Sequence, residues 1–125
     1  MAKILIIDDD DKFRVMVKIM LENSGYENIE EAENGYIGMK LIRKSHFDLV
    51  ITDIIMPDKE GIETIMEIKK DFPAIKIIAM SGGGKIGADS YLQMAGHLGA
   101  GRTLEKPFHQ SELIDAVREL LNELQ

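Results

Sequence analysis

The sequence predicts a single α/β domain, in which a parallel sheet carries helices on both faces. Short apolar runs rich in β-branched residues alternate with longer amphipathic stretches along almost all of the 125 residues. Glycine and proline residues, which favour turns, separate these stretches. Strands that are joined through helices pair in parallel, so five strand–helix units predict one doubly wound sheet in a domain spanning residues 1–125.

The first strand–helix unit shows this pattern most clearly. The apolar run Ile4-Leu5-Ile6-Ile7 predicts a buried strand near residues 3–8. A stripe of apolar residues with the spacing i, i+3, i+4, i+7, i+8 then predicts a helix near residues 11–24, which Gly25 ends. The stripe consists of Phe13, Met16, Val17, Met20 and Leu21.

The other four units follow in the same alternation. Their strands are predicted near residues 28–32, 47–53, 74–80 and 101–104. Their helices are predicted near residues 35–44, 59–70, 87–98 and 110–124. The turn-forming residues between them are Pro57, Pro73, the run Gly82–Gly84, Gly99 and Pro107. The third strand contains the apolar run Leu49-Val50-Ile51, whereas the fifth has little β character in the stretch Gly99–Leu104.

The composition excludes several classes of function. The chain has 22 acidic and 15 basic residues and a net charge of −7, which disfavours nucleic-acid binding. It has no cysteine, so a disulfide framework and a thiolate metal site are excluded. The apolar runs are too short to span a membrane, and Met1-Ala2-Lys3 leads into a strand and not into a signal peptide. We therefore expect a cytoplasmic protein with no direct membrane contact.

Carboxylates follow two of the predicted strands. Asp8-Asp9-Asp10-Asp11 follows the first strand, and Asp53 ends the third. If these strands are parallel neighbours, their carboxyl ends bring the acids together. Two such charges about 4 Å apart repel by roughly 1 kcal/mol in water and about 4 kcal/mol near a protein surface. Since Mg2+ prefers oxygen ligands, a magnesium ion would relieve this repulsion.

The same rim of the sheet carries a hydroxyl and a cation. Ser81 and Lys106 are predicted to follow the fourth and fifth strands, where ligands bind in open α/β sheets. A carboxylate can serve there as a nucleophile, while the hydroxyl and the lysine can bind anionic oxygens. Asp10 and Asp11 have a simpler explanation, because acids favour the first turn of a helix.

Four motifs in order resemble the receiver domain of two-component response regulators, of the single-domain, chemotaxis-regulator type. They are Asp8-Asp9 after the first strand, Asp53-Ile54-Ile55-Met56-Pro57 with Gly61, Ser81-Gly82, and Lys106-Pro107-Phe108. The resemblance covers the whole chain. It implies a flavodoxin-like fold with strand order 2-1-3-4-5. A chemotaxis receiver is a standard example of this strand order.

The resemblance also implies a phosphorelay role. Asp53 would accept a phosphoryl group from a phosphohistidine of a sensor histidine kinase or a histidine phosphotransfer protein. Asp8, Asp9 and Asp53 would bind Mg2+ together with the backbone carbonyl of Ile55. Such a protein catalyses its own phosphorylation and dephosphorylation only. It is expected to be a monomer or a weak dimer with an unknown output partner.

Ser81 and Lys106 would bind the phosphoryl oxygens, and the peptide bond between Lys106 and Pro107 is implied to be cis. Phosphoryl transfer requires alignment and charge neutralisation more than covalent assistance, which this set of residues can provide. Phosphorylation would then draw in Ser81 and switch the loop after the fourth strand. The resemblance places the switched surface on the fourth helix, fifth strand and fifth helix.

The chain departs from the family pattern at two places. Thr103 stands where an aromatic residue is usual, three residues before Lys106. The segment from Ser81 to Lys106 is about three residues longer than is common in the family, with the excess between Gly82 and Tyr91. We infer that the glycine-rich loop, which moves at little conformational cost, carries the signal in place of an aromatic rotamer.

The first helix has a second apolar feature. Val15 and Ile19 lie one turn apart, nearly opposite the core-facing stripe. Isolated apolar residues are common on protein surfaces. The alternative is a docking patch for the histidine-bearing phosphodonor protein.

Three other functions fit part of the sequence. Asp8-x-Asp10 fits an aspartate-nucleophile phosphatase of the haloacid dehalogenase type, but Lys12 stands where threonine or valine is typical, and the chain lacks a cap domain. Gly82-x-Gly84-x-x-Gly87 matches a dinucleotide fingerprint, but a single strand remains after it. A phosphorylation-independent binding module of receiver fold would not need the complete set of acids, hydroxyl and lysine.

Overall fold

The computed structural model describes residues 1–55, 61–82 and 88–122, with the side chains of 88–92 left out. Within these residues five strands form one sheet: β1 (Ile4–Ile7), β2 (Ile29–Ala32), β3 (Leu49–Asp53), β4 (Lys76–Gly82) and β5 (Arg102–Lys106). The helices are α1 (Asp11–Asn23), α2 (Gly35–Lys44), α3 (Gly61–Asp71), α4 (Ala88–Leu98) and α5 (Gln110–Leu120). None of the described helices has the length and apolar character needed to cross a membrane.

The strands are parallel and lie in the order β2-β1-β3-β4-β5, so the predicted fold class and strand order are confirmed. The register aligns their carboxyl ends. Ile7 pairs with Thr52, Asp53 pairs with Met80, and Gly82 pairs with Lys106. The residues at or just after these ends therefore share one rim of the sheet.

The sheet separates two apolar cores, because successive side chains of a strand point to opposite faces. Ile4 and Ile6 of β1 join the core beneath α1 and α5, whereas Leu5 and Ile7 join the core beneath α2, α3 and α4. All four side chains are fully buried. A continuous apolar run is the expected sequence of a parallel strand covered on both faces.

Four of the five residues in the predicted stripe of α1 belong to the first core or pack against it. Val17 and Leu21 are buried, and Phe13 and Met20 pack against the same core. The helix begins where Asp10 accepts a hydrogen bond from the backbone N–H of Phe13.

Some element boundaries differ from the predictions. β4 begins at Lys76 and not at 74, and it continues through Gly82. β5 extends to Lys106, two residues beyond its predicted end. Pairing with β4, from Ile78 with Arg102 onwards, supplies the strand character that the local sequence of β5 lacks. The predicted start of α3 at 59, part of the glycine-rich loop and the predicted end of α5 lie outside the described residues.

Candidate phosphoryl-transfer site

The strand ends bring the predicted acids and the lysine together. Asp8 directly follows β1 and is fully buried, and Asp53, the last residue of β3, is 7% exposed. Lys106 ends β5, and its Nζ lies 2.8 Å from Oδ2 of Asp8 and 3.2 Å from Oδ2 of Asp53. One ammonium group therefore bridges two buried carboxylates that lie 45 residues apart in the sequence.

Backbone groups fix the other oxygen of each carboxylate. The N–H of Asp10 donates to Oδ1 of Asp8 at 2.9 Å, and the N–H of Ile54 donates to Oδ1 of Asp53 at 2.8 Å. Charge-assisted hydrogen bonds of this kind restrict rotation of the carboxylates. Both side chains are held in place before any ligand binds.

Burial raises the pKa of Asp53 above its ordinary value. The positive charge of Lys106 opposes this shift, and the negative charge of Asp8 adds to it. Burial lowers the pKa of Lys106, but its hydrogen bond to Asp8 and the charges of Asp53 and Asp8 outweigh that effect, so the pKa of Lys106 is raised. The lysine is therefore held in its charged form.

The predicted metal ligands form a suitable oxygen-rich cluster. One carboxylate oxygen from each of Asp8, Asp9 and Asp53 lies within 4.8 Å of the other two. These three negative charges and the positive charge of Lys106 leave a formal charge of −2. Oxygen ligands with excess negative charge suit a hard divalent cation, so the donor set fits Mg2+.

A cleft beside the cluster is large enough for a small anionic group. Its volume is about 240 Å³. It is lined by Asp9, Asp10, Asp53, Ile55, Gly82 and Lys106. Ile55, predicted to contribute its backbone carbonyl, thus lies at the cleft, with a side chain that is 41% exposed.

Ser81 lies within β4, one residue before the strand end, and not in a loop as the sequence suggested. Its side chain is fully buried, and among the described residues its Oγ has no hydrogen-bond partner. An unsatisfied buried hydroxyl costs about 1–3 kcal/mol. Ser81 is not among the residues that line the cleft, although its neighbour Gly82 is.

Gly61 allows α3 to begin against the end of β3. Its N–H donates to the carbonyl of Ile54 at 2.7 Å. A Cβ atom on Gly61 would lie 1.9 Å from the carbonyl oxygen of Asp53, which is closer than any real contact. The glycine is therefore required by the backbone that carries Asp53.

The sequence did not reveal two contacts to the site. Arg14 of α1 donates from its guanidinium to the carbonyl of Asp8 at 2.6 Å and also binds Asp11 and Glu31. The ring of Phe13 lies beside Lys106, with 4.2 Å between its centroid and Nζ. Nothing in the sequence pattern related Phe13 to Lys106, or Arg14 to the backbone of Asp8.

Two further predictions are confirmed, those for the start of α1 and for the peptide bond after Lys106. Asp10 caps α1, and Asp11 lies in its first turn, so both mark the helix start. The peptide bond between Lys106 and Pro107 is cis. Thr103 is partly buried on β5 and pairs with Ala79. Residues 83–87 of the lengthened loop lie outside the part of the chain that the structure describes.

Comparison with known proteins identifies the family. The model of the response regulator receiver domain matches residues 4–118. The chain is 35% identical over 120 residues to the chemotaxis protein CheY of Bacillus subtilis (strain 168), covering 96% of this chain and 98% of CheY. It is 32% identical over 119 residues to the sporulation initiation phosphotransferase F of the same organism, with 95% and 93% covered.

Solved structures agree with this assignment. A response regulator receiver domain protein from Clostridium thermocellum is 32% identical, with a TM-score of 0.87 over 98% of this chain and 95% of that one. A CheY-like receiver domain protein from Methanospirillum hungatei JF-1 is 31% identical, with a TM-score of 0.86 over the same shares of the two chains. The protein therefore belongs to the receiver domain family of the response regulators of two-component systems.

Proposed function

We propose that this receiver accepts a phosphoryl group on Asp53 from a phosphohistidine of a sensor histidine kinase or a histidine phosphotransfer protein. The observation that carries the proposal is the bridge of Lys106 between Asp8 and Asp53 at the edge of the cleft. A carboxylate oxygen of Asp53 forms the new bond to phosphorus. The phosphorus–nitrogen bond of the donor breaks, and its electron pair stays on the imidazole nitrogen.

Asp8, Asp9 and Asp53 would hold the Mg2+ on which this transfer depends, with the backbone carbonyl of Ile55 as a further ligand. When bound, the ion neutralises charge on the phosphoryl oxygens. Lys106 supplies a second positive charge to the same oxygens. The buried Oγ of Ser81 donates a hydrogen bond to the phosphoryl group, which satisfies a hydroxyl that otherwise has no partner among the described residues.

Phosphorylation would act as a switch. The modification enlarges the negative charge at Asp53 and adds strong acceptors. Ser81 and Gly82 lie at the end of β4, directly before the loop that leads to α4. A displacement of Ser81 toward the phosphoryl group therefore moves that loop and the surface of α4, β5 and α5, where an output partner would bind. We place this signalling in the cytoplasm, with the protein acting as a monomer or a weak dimer.

The phosphodonor protein would dock on the outer face of α1. Val15 and Ile19 are 46% and 49% exposed, although both are apolar. They lie on the helix whose first turn begins at the acid cluster, so a helix bound there would bring its histidine toward the cleft.

Intact mass spectrometry after treatment with acetyl phosphate and Mg2+ tests the proposal. The wild type and Asp115→Asn, which alters an exposed aspartate of α5, should gain one phosphoryl group each. Asp53→Asn should gain none, and a chelator should abolish the adduct on the wild type. An equal adduct on Asp53→Asn would overturn the assignment. Sustained turnover of a phosphomonoester would instead support the phosphatase alternative, and the absence of an adduct on the wild type would support a phosphorylation-independent binding module.

A further inference from the structure

Phe13 connects the first helix to the lysine of the site. Its ring centroid lies 4.2 Å from Nζ of Lys106, which is within the range of a favourable cation–π contact. The side chain of Lys106 is 15% exposed, so water screens this contact only in part. Phe13 therefore does more than fill its place in the core-facing stripe of α1.

Two further contacts hold the ring in position. The rings of Phe13 and Phe108 are nearly perpendicular, at 88°, with centroids 5.5 Å apart. Phe108 is 5% exposed and lies two residues after Lys106. At the other end of the side chain, the backbone N–H of Phe13 donates to Asp10, which caps α1. The ring is thus fixed between the acid cluster and the segment that carries Lys106.

Among the described residues, the ammonium group of Lys106 contacts Asp8, Asp53 and Phe13, and these differ in their relation to a bound metal ion. Asp8 and Asp53 attract it through carboxylates that also belong to the candidate metal cluster, so a bound cation would share their negative charge. The ring of Phe13 cannot act as a Mg2+ ligand of the kind that carboxylates provide. Its attraction for Lys106 is therefore independent of metal binding.

We propose that Phe13 is a positioning residue that holds the Lys106 ammonium group at the cleft, ready for the phosphoryl oxygens. This inference rests on the proposed phospho-accepting function. Phe13 does not touch the reacting atoms and acts through Lys106 alone. A partly exposed cation–π contact corresponds to roughly a two- to fivefold effect on a rate or an equilibrium, and we expect an effect of that size.

The first experiment tests the contact without metal or phosphodonor. An aromatic ring shifts the NMR signals of protons above its face upfield. In lysine-labelled protein, the ε-methylene protons of Lys106, assigned with Lys106→Arg, should resonate upfield of the other lysines. In Phe13→Leu the signal should return to the ordinary position. A Lys106 signal at the ordinary position in the wild type would overturn the inference.

The second experiment tests the consequence for phosphorylation. With acetyl phosphate and Mg2+, Phe13→Leu should acquire the Asp53 adduct roughly two to five times more slowly than the wild type. Phe13→Tyr keeps an aromatic face and should restore the rate. Trifluorophenylalanine at position 13 keeps the shape of the ring but removes its negative face, so it should be as slow as the leucine variant. The inference would be overturned if Phe13→Leu and the fluorinated variant both acquired the adduct at the wild-type rate. It would also be overturned if the fluorinated variant alone did so.

Phe72→Leu provides the matched control. Phe72 lies beneath the guanidinium of Arg43, with 5.4 Å between the ring centroid and Cζ, in a segment that contributes nothing to the cleft. Its variant loses a similar contact and should phosphorylate at the wild-type rate. A loss equal to that of Phe13→Leu would overturn the inference. A wild type that takes no adduct would overturn the proposed function, whereas an adduct formed equally fast in Phe13→Leu would overturn this inference alone.

Discussion

Asp53 is a charged residue in a buried position, and its ionised form lowers the stability of the native state by an amount that can be measured. Its raised pKa, caused first by burial, means that the folded protein binds the proton more tightly than the unfolded chain does. Below the ordinary pKa of aspartate both states are protonated. As the pH rises through the folded pKa, the ionised carboxylate destabilises the native state.

Asp53→Asn should therefore raise the melting temperature at pH 7.5 in the absence of metal. The amide keeps an oxygen for the N–H of Ile54, and Lys106 keeps its bond to Asp8. We expect a gain of a few degrees that shrinks as the pH falls through the raised pKa of Asp53. Thermal unfolding from pH 4 to pH 8, with Asp115→Asn as the control, measures it. A lower melting temperature across the whole range would contradict this account.

Position 61, beside the site, does not accommodate a side chain larger than that of glycine. Gly61→Ala places a methyl group 1.9 Å from the carbonyl oxygen of Asp53, so the start of α3 must move. We expect a loss of about 2 kcal/mol or more in the free energy of unfolding, which is the range for overpacking or backbone strain. Urea denaturation checks it.

Gly96→Ala is the matched control for Gly61→Ala, because a Cβ atom at Gly96 of α4 would meet no atom of the described residues within 4 Å, apart from its own helix backbone. An alanine there should stabilise the helix by about 0.5–1 kcal/mol. Equal effects of the two substitutions would show that the close approach at Gly61 is unimportant.

At the scale of elements, α1 serves both the core and the surface. Val15→Lys combined with Ile19→Lys should slow phosphotransfer from a histidine phosphodonor protein at least tenfold, because charged groups would replace the apolar patch. Phosphorylation by acetyl phosphate should keep its rate. Met66→Lys, on an exposed apolar position of α3, is the control and should leave both rates unchanged. Equal losses with both donors would show that the patch is not a docking surface.

The order of the elements follows from the sequence more directly than their ends do. The alternation of apolar runs and amphipathic stretches was sufficient for the fold class, because parallel strands buried on both faces require continuous apolar sequence. The predicted β5 ends two residues early, because its strand character comes from pairing with β4, which is a tertiary effect. The acids and Lys106 could be predicted because strand ends meet at one rim. The contact between Phe13 and Lys106 could not, since it joins residues 93 positions apart without a motif.

At the scale of the whole molecule, metal binding should appear as added stability. A ligand that binds only the folded state stabilises it by RT ln(1 + [L]/Kd), which is about 2.7 kcal/mol at a hundredfold excess over Kd. Mg2+ should therefore raise the melting temperature progressively with its concentration, and a chelator should reverse the shift. Calorimetry over a magnesium series measures the effect.

Asp9 is the exposed residue of the acid cluster, and substituting it tests whether the cluster binds the magnesium ion. Asp9→Asn removes one candidate ligand at an exposed position, so it should fold normally and lose most of the magnesium-dependent shift. Asp11→Asn alters a neighbouring acid in the first turn of α1 and should keep the shift. A shift retained in Asp9→Asn would remove that residue from the metal site.

The division of the interior by the sheet has a consequence for how such a protein can diverge. Residues beneath α1 and α5 belong to one core and those beneath α2, α3 and α4 to the other. A duplicated copy could exchange one helical face for another to suit a new partner while the packing on the opposite face stays intact. The chemistry at the strand ends would be inherited unchanged when the exchanged face is that of α2, α3 and α4, because Phe13 and Arg14 of α1 contact Lys106 and Asp8.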